Sequence, residues 1–250
     1  MGNFNPFTLE GKTILVTGAS SGIGRSIAVT CSKMDAHVII TGRNKTKLEE
    51  TASLMQEGSS TLITADLTNN EDLNNLVQQL PKLDGIAHVA GMGHRKICKQ
   101  IEETDIDTVM GVNFKAPVML QTEILKQKKL NKAASIVFLT SIAANSPSIG
   151  NAIYSASKGA LISYANCLEL ELAPRKIRVN CISPAMVWTD LILKGGITEE
   201  ELKEDEMKYP LKRYGQPEDI ANLAVYLLSD ASSWMTGSNV KITGGYLNSS

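Results

Sequence analysis

The chain has 250 residues, 43% of them hydrophobic, which is enough for one large α/β domain or for two small ones. Its 25 basic and 26 acidic side chains give a net charge of -1, which excludes a general electrostatic attraction for nucleic acid or an anionic membrane. A small, roughly neutral partner is therefore favoured.

Short apolar runs alternate with helical patterns along the chain. The expected strands cover 12–17, 37–41, 60–64, 85–89, 135–140, 177–182 and 239–243. The expected helices cover 25–34, 45–56, 70–80, 102–129 and 153–172, with others near 198–207 and from 216. This alternation predicts an α/β protein, a single-domain Rossmann-type fold over residues 1–250. Its doubly wound parallel sheet would have about seven strands and helices on both faces.

The cysteines, the amino terminus and the hydropathy indicate the compartment. The four cysteines (Cys31, Cys98, Cys167 and Cys181) show no C-x-x-C or metal-ligand spacing, so we expect reduced core thiols and no metal. Residues 1–12 contain no apolar leader, and no run approaches the roughly 18 apolar residues of a membrane span. The prediction is a soluble cytoplasmic protein without a membrane partner.

A glycine cluster joins the first strand to the first helix. Gly18, Gly22 and Gly24 follow the spacing G-x-x-x-G-x-G, which departs from the G-x-G-x-x-G of the standard dinucleotide fingerprint. Glycines there permit a tight turn, and the free N–H groups and positive dipole of the helix terminus suit a pyrophosphate. A phosphate-binding loop is predicted, with a plain turn as the alternative.

The end of the second strand indicates which dinucleotide binds. An acid there would bind the 2′-hydroxyl of NAD, whereas this chain has Arg43, whose guanidinium can pair with a 2′-phosphate. We therefore expect NADP(H) to be preferred over NAD(H). Asp66 and Leu67, after the third strand, are expected beside the adenine, although Asp66 is also a plausible turn residue.

Tyr154 and Lys158 lie four residues apart on a predicted helix and therefore on one face of it. A positive charge about 4 Å from the phenol, at an effective dielectric constant of about 20, favours phenolate by up to about 4 kcal/mol. This predicts that Lys158 lowers the Tyr154 pKa towards neutral, as an acid/base catalyst requires. The alternative is a packed tyrosine beside a solvated lysine. Ser141 follows the fifth strand, where an open parallel sheet binds its ligand.

Two other polar positions are less distinctive. Asn113 interrupts the apolar pattern of the predicted helix 102–129 and needs hydrogen-bond partners. His88 and His94 have no third ligand at a suitable spacing, so core or loop histidines are expected rather than a metal site.

Together these motifs resemble the short-chain dehydrogenase/reductase family over essentially the full chain, and most of all its 3-oxoacyl-acyl-carrier-protein reductase branch. The matching residues, in the family's order, are Thr17, Gly18, Gly22, Gly24, Asp66, Leu67, Ala90, Gly91, Asn113, Ser141, Tyr154, Lys158, Asn180, Ser183, Pro184, Thr189, Thr236, Gly237, Gly244 and Gly245.

The resemblance implies an NADP(H)-dependent oxidoreductase. It implies that Tyr154 exchanges a proton with the substrate oxygen and that Ser141 hydrogen-bonds this oxygen. Lys158 would lower the Tyr154 pKa and hold the nicotinamide ribose, and Asn113 would position a proton-relay water. The implied cofactor contacts are Gly18, Ser20, Ser21, Gly22, Ile23, Gly24, Arg43, Asp66, Leu67, Ala90, Gly91, Tyr154, Lys158, Pro184, Val187 and Thr189.

Two positions depart from the family pattern. His88-Val89 stands where the family has two asparagines, so a sheet-bracing amide is missing and Val89 cannot replace its hydrogen bonds. Ala185 follows Pro184 where the family has glycine, which is expected to narrow the nicotinamide end of the pocket.

The substrate is expected to be a small carbonyl or alcohol, either free or carried on acyl carrier protein. It would enter beneath a lid over 185–215, because long, charged, glycine-rich connections are usually functional. The candidate substrate contacts are His94, Arg95, Asn145, Pro147, Ile149, Met186, Trp188 and Leu191. For a carrier protein, the resemblance places basic contacts at Lys132 and Arg175.

The same motifs are compatible with other functions. A sugar, polyol or steroid dehydrogenase would use the same site, and a dinucleotide-binding sensor would have lost turnover. The resemblance further implies a homotetramer assembled through the predicted helices 102–129 and 153–172.

Overall fold

The computed structural model describes residues 5–146, 148–193 and 198–246. Within them, one seven-stranded sheet has the order β3-β2-β1-β4-β5-β6-β7, and all neighbouring strands are parallel. The strands are β1 Thr13–Thr17, β2 His37–Gly42, β3 Ser60–Thr64, β4 Leu83–His88, β5 Leu130–Leu139, β6 Arg178–Pro184 and β7 Asn239–Ile242. The predicted doubly wound parallel sheet is confirmed.

Helices cover both faces of the sheet. They are α1 Gly22–Lys33, α2 Lys45–Ser53, α3 Asn70–Gln79, α4 Glu103–Met110, α5 Ala116–Lys126, α6 Ala152–Leu172, α7 Asp190–Leu193, α8 Glu199–Glu206 and α9 Pro217–Leu228. Successive strand residues point to opposite faces, so Leu15 of β1 packs with α3, α5 and α6, whereas Ile14 and Val16 pack with α1, α2 and α9. Among the described residues, no helix has the length and apolar character to cross a membrane.

The strand order creates the binding edge. The chain runs from β1 out to β2 and β3 and returns to β4 on the other side of β1. Ligands of open α/β sheets bind beyond the carboxyl ends of the strands at such a reversal. The loops that follow β1 and β4 therefore meet at the expected site.

The predicted helix 102–129 is not continuous. A π-helical turn, Gly111–Lys115, separates α4 from α5. Pro117 explains the interruption, because its ring has no N–H to donate to the Asn113 carbonyl and would clash with that carbonyl in a regular helix. Such turns often mark functional sites, and this one contains Asn113.

The segment 185–215 has a small hydrophobic core of its own. Leu202, Tyr209 and Tyr214 are buried, and Trp188 packs against them with its ring centre 5.5 Å from that of Tyr214. The predicted helix near 198–207 is present as α8, whereas α7 was not predicted. The described parts of the segment are therefore packed rather than loosely attached.

The cysteine expectation is only half right. Cys31 and Cys181 are buried, but Cys98 and Cys167 are exposed. Cys98 lies in a 3-10 turn and Cys167 on the outer face of α6, where an apolar sequence neighbourhood does not guarantee burial.

Candidate active site

The glycine loop after β1 is packed too closely for side chains. Gly18 has a φ of +67°, and a Cβ there would lie 2.8 Å from the Ala90 Cα. Gly22 has a φ of +52°, and its Cβ would lie 3.1 Å from Cγ2 of Thr189. At Gly24 a Cβ would overlap the Gly18 carbonyl oxygen. The loop thus brings the segments after β4 and β6 against the first turn of α1.

The amino terminus of α1 fits a pyrophosphate. Within the described structure, the Ser21 side chain makes no capping hydrogen bond, and no acid lies in the first turn of this helix. Its first N–H groups have no intrahelical acceptors and suit an anion. Ser20 and Ile23 belong to the same loop, and Ser20 Oγ occupies the space that a side chain at Gly42 would need. The chain therefore fits a dinucleotide here.

Two residues that sequence reasoning missed brace this loop. Arg25 Nη2 donates to the Ser20 carbonyl at 2.8 Å, and Thr51 Oγ1 donates to the Ala19 carbonyl at 2.8 Å. Arg25 also pairs with Glu50, at 2.9 Å. The loop is thereby tied to α2. The only sequence signal for this bracing role was the position of Arg25, directly after Gly24.

Arg43 and Asp66 lie at the carboxyl ends of β2 and β3. Two hydrogen bonds from Thr68 keep the pKa of the Asp66 carboxyl below its usual value, and the exposed Arg43 nearby adds a smaller lowering. The Asp66 carboxylate accepts from Thr68 N at 2.9 Å and from Thr68 Oγ1 at 2.7 Å. Asp66 thus forms the turn that the sequence left as an alternative. Leu67 packs against the core beside α3.

Ser141, Tyr154 and Lys158 come together beyond the end of β5. The Ser141 hydroxyl lies near enough to the Tyr154 phenol to lower the pKa of that phenol, and its Oγ accepts from Ala143 N at 3.1 Å. The Lys158 ammonium is buried, donates to the Leu139 carbonyl at 2.9 Å and lies 5.8 Å from the centre of the Tyr154 ring. A Cβ at Gly91 would lie 3.5 Å from Lys158 Nζ. A hydroxyl, a phenol and an ammonium thus converge beside the loop after β4.

Burial sets the protonation states of this trio. Desolvation raises the pKa of Tyr154 above its ordinary value, and the nearby Ser141 hydroxyl offsets part of the rise. Desolvation also lowers the pKa of Lys158, to about 8. The lowering expected for Tyr154 is therefore not found. Loss of hydration outweighs an ammonium that is held by the Leu139 carbonyl rather than by the phenol oxygen.

Asn113 is fully buried, and its amide is engaged by protein groups. Its Nδ2 donates to the Met92 carbonyl at 3.0 Å and to Ser157 Oγ at 3.1 Å, and its Oδ1 accepts from Met92 N at 2.8 Å. Asn113 therefore joins the loop after β4 to the turn of α6 before Lys158. Sequence reasoning missed Ser157 as a partner.

Thr17 braces the loop where the family's amide is missing. Its Oγ1 accepts from the backbone N–H of Val89 at 3.0 Å and of Ala90 at 3.1 Å. His88 is a core histidine, as expected: it stacks on Phe138 at 4.6 Å between ring centres. The hydroxyl of β1 thus satisfies two backbone N–H groups of the loop after β4.

The residues predicted around the nicotinamide follow β6. Pro184 ends this strand, and Val187 is buried and forms a parallel bridge with Gly215. Thr189 contacts Val187 through a hydrogen bond of 3.4 Å and also packs on the first turn of α1. Ala185 packs against the hydrophobic core of the segment 185–215, and its narrowing of the pocket stays a prediction.

The predicted substrate residues occupy three separate settings. Asn145 and Ile149 are exposed in the loop after β5, and Ile149 is 84% exposed. Met186 and Trp188 belong to the lid segment, where the Trp188 indole donates to Glu206.

Of the remaining substrate candidates, two lie in the loop after β4 and two lie outside the described part of the structure. His94 meets Asp105 at 3.0 Å, and Arg95 is exposed beside it. Pro147 and the Leu191 side chain lie outside the described residues, as do residues 194–197 of the predicted lid.

Lys132 and Arg175 lie at the edge of the sheet opposite Ser141, Tyr154 and Lys158. Lys132 is near the start of β5, whereas Ser141 follows its end. Arg175 donates to the Leu130 carbonyl at 2.7 Å, so it fastens the end of α6 to the start of β5. Within one chain, neither residue borders the carboxyl edge of the sheet, and their contact with a carrier protein stays a prediction.

Comparisons with known proteins agree with this architecture. A family model described as enoyl-(acyl carrier protein) reductase matches residues 18–247. The chain is 36% identical to a 3-oxoacyl-acyl-carrier-protein reductase of Rickettsia felis, over 96% of this chain and 98% of the relative. It is 33% identical to dehydrogenase/reductase SDR family member 4 of Homo sapiens, over 95% of this chain and 88% of that protein.

A solved structure extends the comparison. It is a protein from Beutenbergia cavernae, provisionally assigned as an NAD(P)-dependent gluconate 5-dehydrogenase and determined with bound NADP. The TM-score is 0.88 at 31% identity, with 98% of this chain and 100% of the other covered.

Proposed function

Because the chain belongs to the short-chain dehydrogenase/reductase family, oxidoreductases that act on CH–OH and C=O groups with NAD(P), we propose that it is an NADPH-dependent reductase of 3-oxoacyl thioesters. The observation that carries the proposal is the convergence of Ser141, Tyr154 and the buried Lys158, whose Nζ lies 5.8 Å from the centre of the Tyr154 ring, at the carboxyl edge of the sheet. The relative of Rickettsia felis, matched over nearly its whole length, supports the thioester substrate.

The protonation states support reduction of a carbonyl. The raised pKa keeps Tyr154 in its phenol form near neutral pH, ready to give its proton to a substrate oxygen. Ser141 would hold that oxygen through a second hydrogen bond. When bound, NADPH supplies the hydride that the carbonyl carbon receives. Hydride plus proton converts the ketone to a secondary alcohol.

Lys158 and Asn113 would act around this transfer. With a pKa of about 8, Lys158 is mostly protonated at neutral pH and would stabilise the phenolate left after proton donation. We also propose that Lys158 hydrogen-bonds the nicotinamide ribose. For Asn113 the engaged amide supports a positioning role for the loop and α6, and a relay water would use the remaining acceptor capacity of Oδ1.

For the cofactor, we propose NADPH over NADH. The exposed guanidinium of Arg43 at the end of β2 supports a 2′-phosphate, and the uncapped amino terminus of α1 supports the pyrophosphate. Asp66, Leu67, Ala90, Gly91, Pro184, Val187 and Thr189 complete the proposed contacts. The similar structure with bound NADP is consistent with this preference.

A sugar or polyol dehydrogenase is the second candidate. It is favoured by the similarity to a protein assigned as a gluconate 5-dehydrogenase and by polar side chains such as Asn145 near the entrance. Nothing in the described site favours a steroid or a sensor without turnover.

A substrate panel distinguishes these functions. The protein would be assayed with NADPH and with NADH against a 3-oxoacyl thioester on coenzyme A and on acyl carrier protein, a keto-gluconate and a ketosteroid. We expect the highest kcat/KM for a 3-oxoacyl thioester with NADPH. If only the keto-gluconate were turned over, the protein would be a sugar dehydrogenase rather than a thioester reductase. If no substrate were turned over, a dinucleotide-binding sensor would be favoured.

For the assembly, we propose a homotetramer built through α4, α5 and α6. Ile106 on α4 is 45% exposed and Leu170 on α6 is 70% exposed, so two of these helices carry an apolar side chain that a second copy would cover. A cytoplasmic location stays a prediction.

A further inference from the structure

The loop between β4 and α4 carries an ion-pair cluster that the proposed chemistry does not use. Asp105, in the first turn of α4, accepts from Lys96 Nζ at 2.6 Å and from Glu102 N at 2.8 Å, and meets His94 Nε2 at 3.0 Å. The side chains of Asp105 and His94 are each only 17% exposed. The hydrogen bond from Lys96, then that from Glu102, keeps the Asp105 pKa below its usual value, so the carboxylate is ionised.

One backbone hydrogen bond connects this cluster to the catalytic helix. The Lys96 N–H donates to the Gly150 carbonyl at 2.8 Å. Gly150 has a φ of +83° and lies two residues before α6, whose first turn contains Tyr154. Because the Lys96 ammonium is anchored on Asp105, the Asp105 carboxylate helps to fix the loop after β4 against the loop before α6.

A mostly apolar groove separates the two loops. Ile97 and Cys98 line one side, and Ser148, Ile149, Ala152 and Ser155 line the other. Ala152 and Ser155 belong to the first turn of α6, which also contains Tyr154, so the groove and the proposed proton donor share this turn. An apolar groove of this kind favours the binding of an aliphatic group, because both surfaces are removed from water.

We propose that Asp105 is a positioning residue that, by anchoring Lys96 against Gly150, sets the width of this groove and so the length of acyl chain that the enzyme accepts. The inference rests on the proposed function, since it assigns the groove to the aliphatic part of the substrate. Asp105 itself touches neither substrate nor cofactor.

The test compares Asp105→Asn with Asp107→Asn. Asp107 is an exposed acid on the same helix whose side chain has no ion pair or hydrogen bond among the described residues. For Asp105→Asn we expect KM for a long-chain 3-oxoacyl thioester to rise about tenfold, since a charge-assisted hydrogen bond is lost. KM for a short-chain thioester, kcat and the affinity for NADPH should stay within twofold, and Asp107→Asn should match the parent.

Two further measurements separate positioning from general destabilisation. Amide exchange at Lys96 should become faster in Asp105→Asn, and adding Lys96→Met should raise KM no further, because the two side chains act as one unit. Equal losses for both chain lengths, a fall in kcat with unchanged KM, or unchanged Lys96 exchange would overturn the proposal. If the parent reduces no thioester, the proposed function fails, and the exchange measurement still decides whether Asp105 anchors the loop.

Discussion

At the level of single residues, burial determines which proton carriers are ready for reaction. Removing water disfavours the charged form of each group, so the Tyr154 pKa rises and the Lys158 pKa falls to about 8. Near neutral pH the pair therefore consists of a protonated phenol and a mostly protonated amine. This is the state that a carbonyl reduction needs at its start.

Replacing Tyr154 by Phe tests the proton donor. We expect turnover to fall by about 10²- to 10⁴-fold, because the substrate oxygen loses its general acid. The affinity for NADPH, measured by fluorescence titration, should change little. Tyr226→Phe is the matched control, since this phenol lies on α9 beside Phe7. Turnover in Tyr154→Phe within tenfold of the parent would remove Tyr154 from this role.

Replacing Arg43 by Asp tests the cofactor preference. The NADPH/NADH ratio of kcat/KM should fall by about 10- to 100-fold, because a carboxylate repels a 2′-phosphate and accepts from a 2′-hydroxyl. Lys45→Asp reverses a nearby exposed charge and should change the ratio much less. A parent enzyme that already prefers NADH would contradict the assignment of Arg43.

At the level of elements, hydrogen bonds across connections hold the site together. The π-turn presents Asn113 to both Met92 and Ser157, and Thr17 holds the N–H groups after β4. The lid segment is organised around Glu206, which accepts from the Trp188 indole and from Tyr214 N at 3.0 Å. We propose that this segment closes over the substrate.

Replacing Glu206 by Ala tests this arrangement. Amide exchange should become faster between Met186 and Leu193, because Trp188 loses its anchor, and KM for the substrate should rise. Glu204→Ala, an exposed acid on the same helix, is the control. In the parent, NADP(H) with substrate should slow exchange in the described parts of 185–215. Unchanged exchange would make the segment a fixed wall.

At the level of the whole molecule, the core contains a buried histidine that makes the folded state less stable at acidic pH. His88 is buried with its Nε2 3.1 Å from Gln121 Oε1, and desolvation lowers its pKa to about 4. In the unfolded chain the same group titrates near about 6.5. Between these values the unfolded state binds more protons, so stability falls as the pH falls from about 6.5 to about 4 and levels off below. The total is up to about 3 kcal/mol.

Denaturant unfolding across this pH range measures the effect. His88→Leu should flatten the pH dependence of the unfolding free energy, whatever its absolute stability, since the titrating group is gone. His37→Leu, which replaces an exposed histidine at the start of β2, should keep the slope of the parent. A parental slope in His88→Leu would show that carboxylates rather than His88 cause the acid sensitivity.

The sequence by itself determined the order of strands and helices and the position of the glycine loop. It also singled out Ser141, Tyr154 and Lys158 as candidate site residues. These features depend on local periodicity, on backbone freedom at glycine and on spacing along one helix, all of which are written in short stretches of chain. The parallel sheet followed because alternating strands and helices have few other ways to bury both faces.

Only the tertiary structure decided the direction of the Tyr154 pKa, the partners of Asn113 and the edge of the sheet occupied by Lys132 and Arg175. Each depends on groups distant in sequence: the Leu139 carbonyl that holds Lys158, the Met92 backbone and the Leu130 carbonyl. Desolvation and hydrogen bonding are set by what packs around a group in space, and residue spacing alone carries no information about that environment.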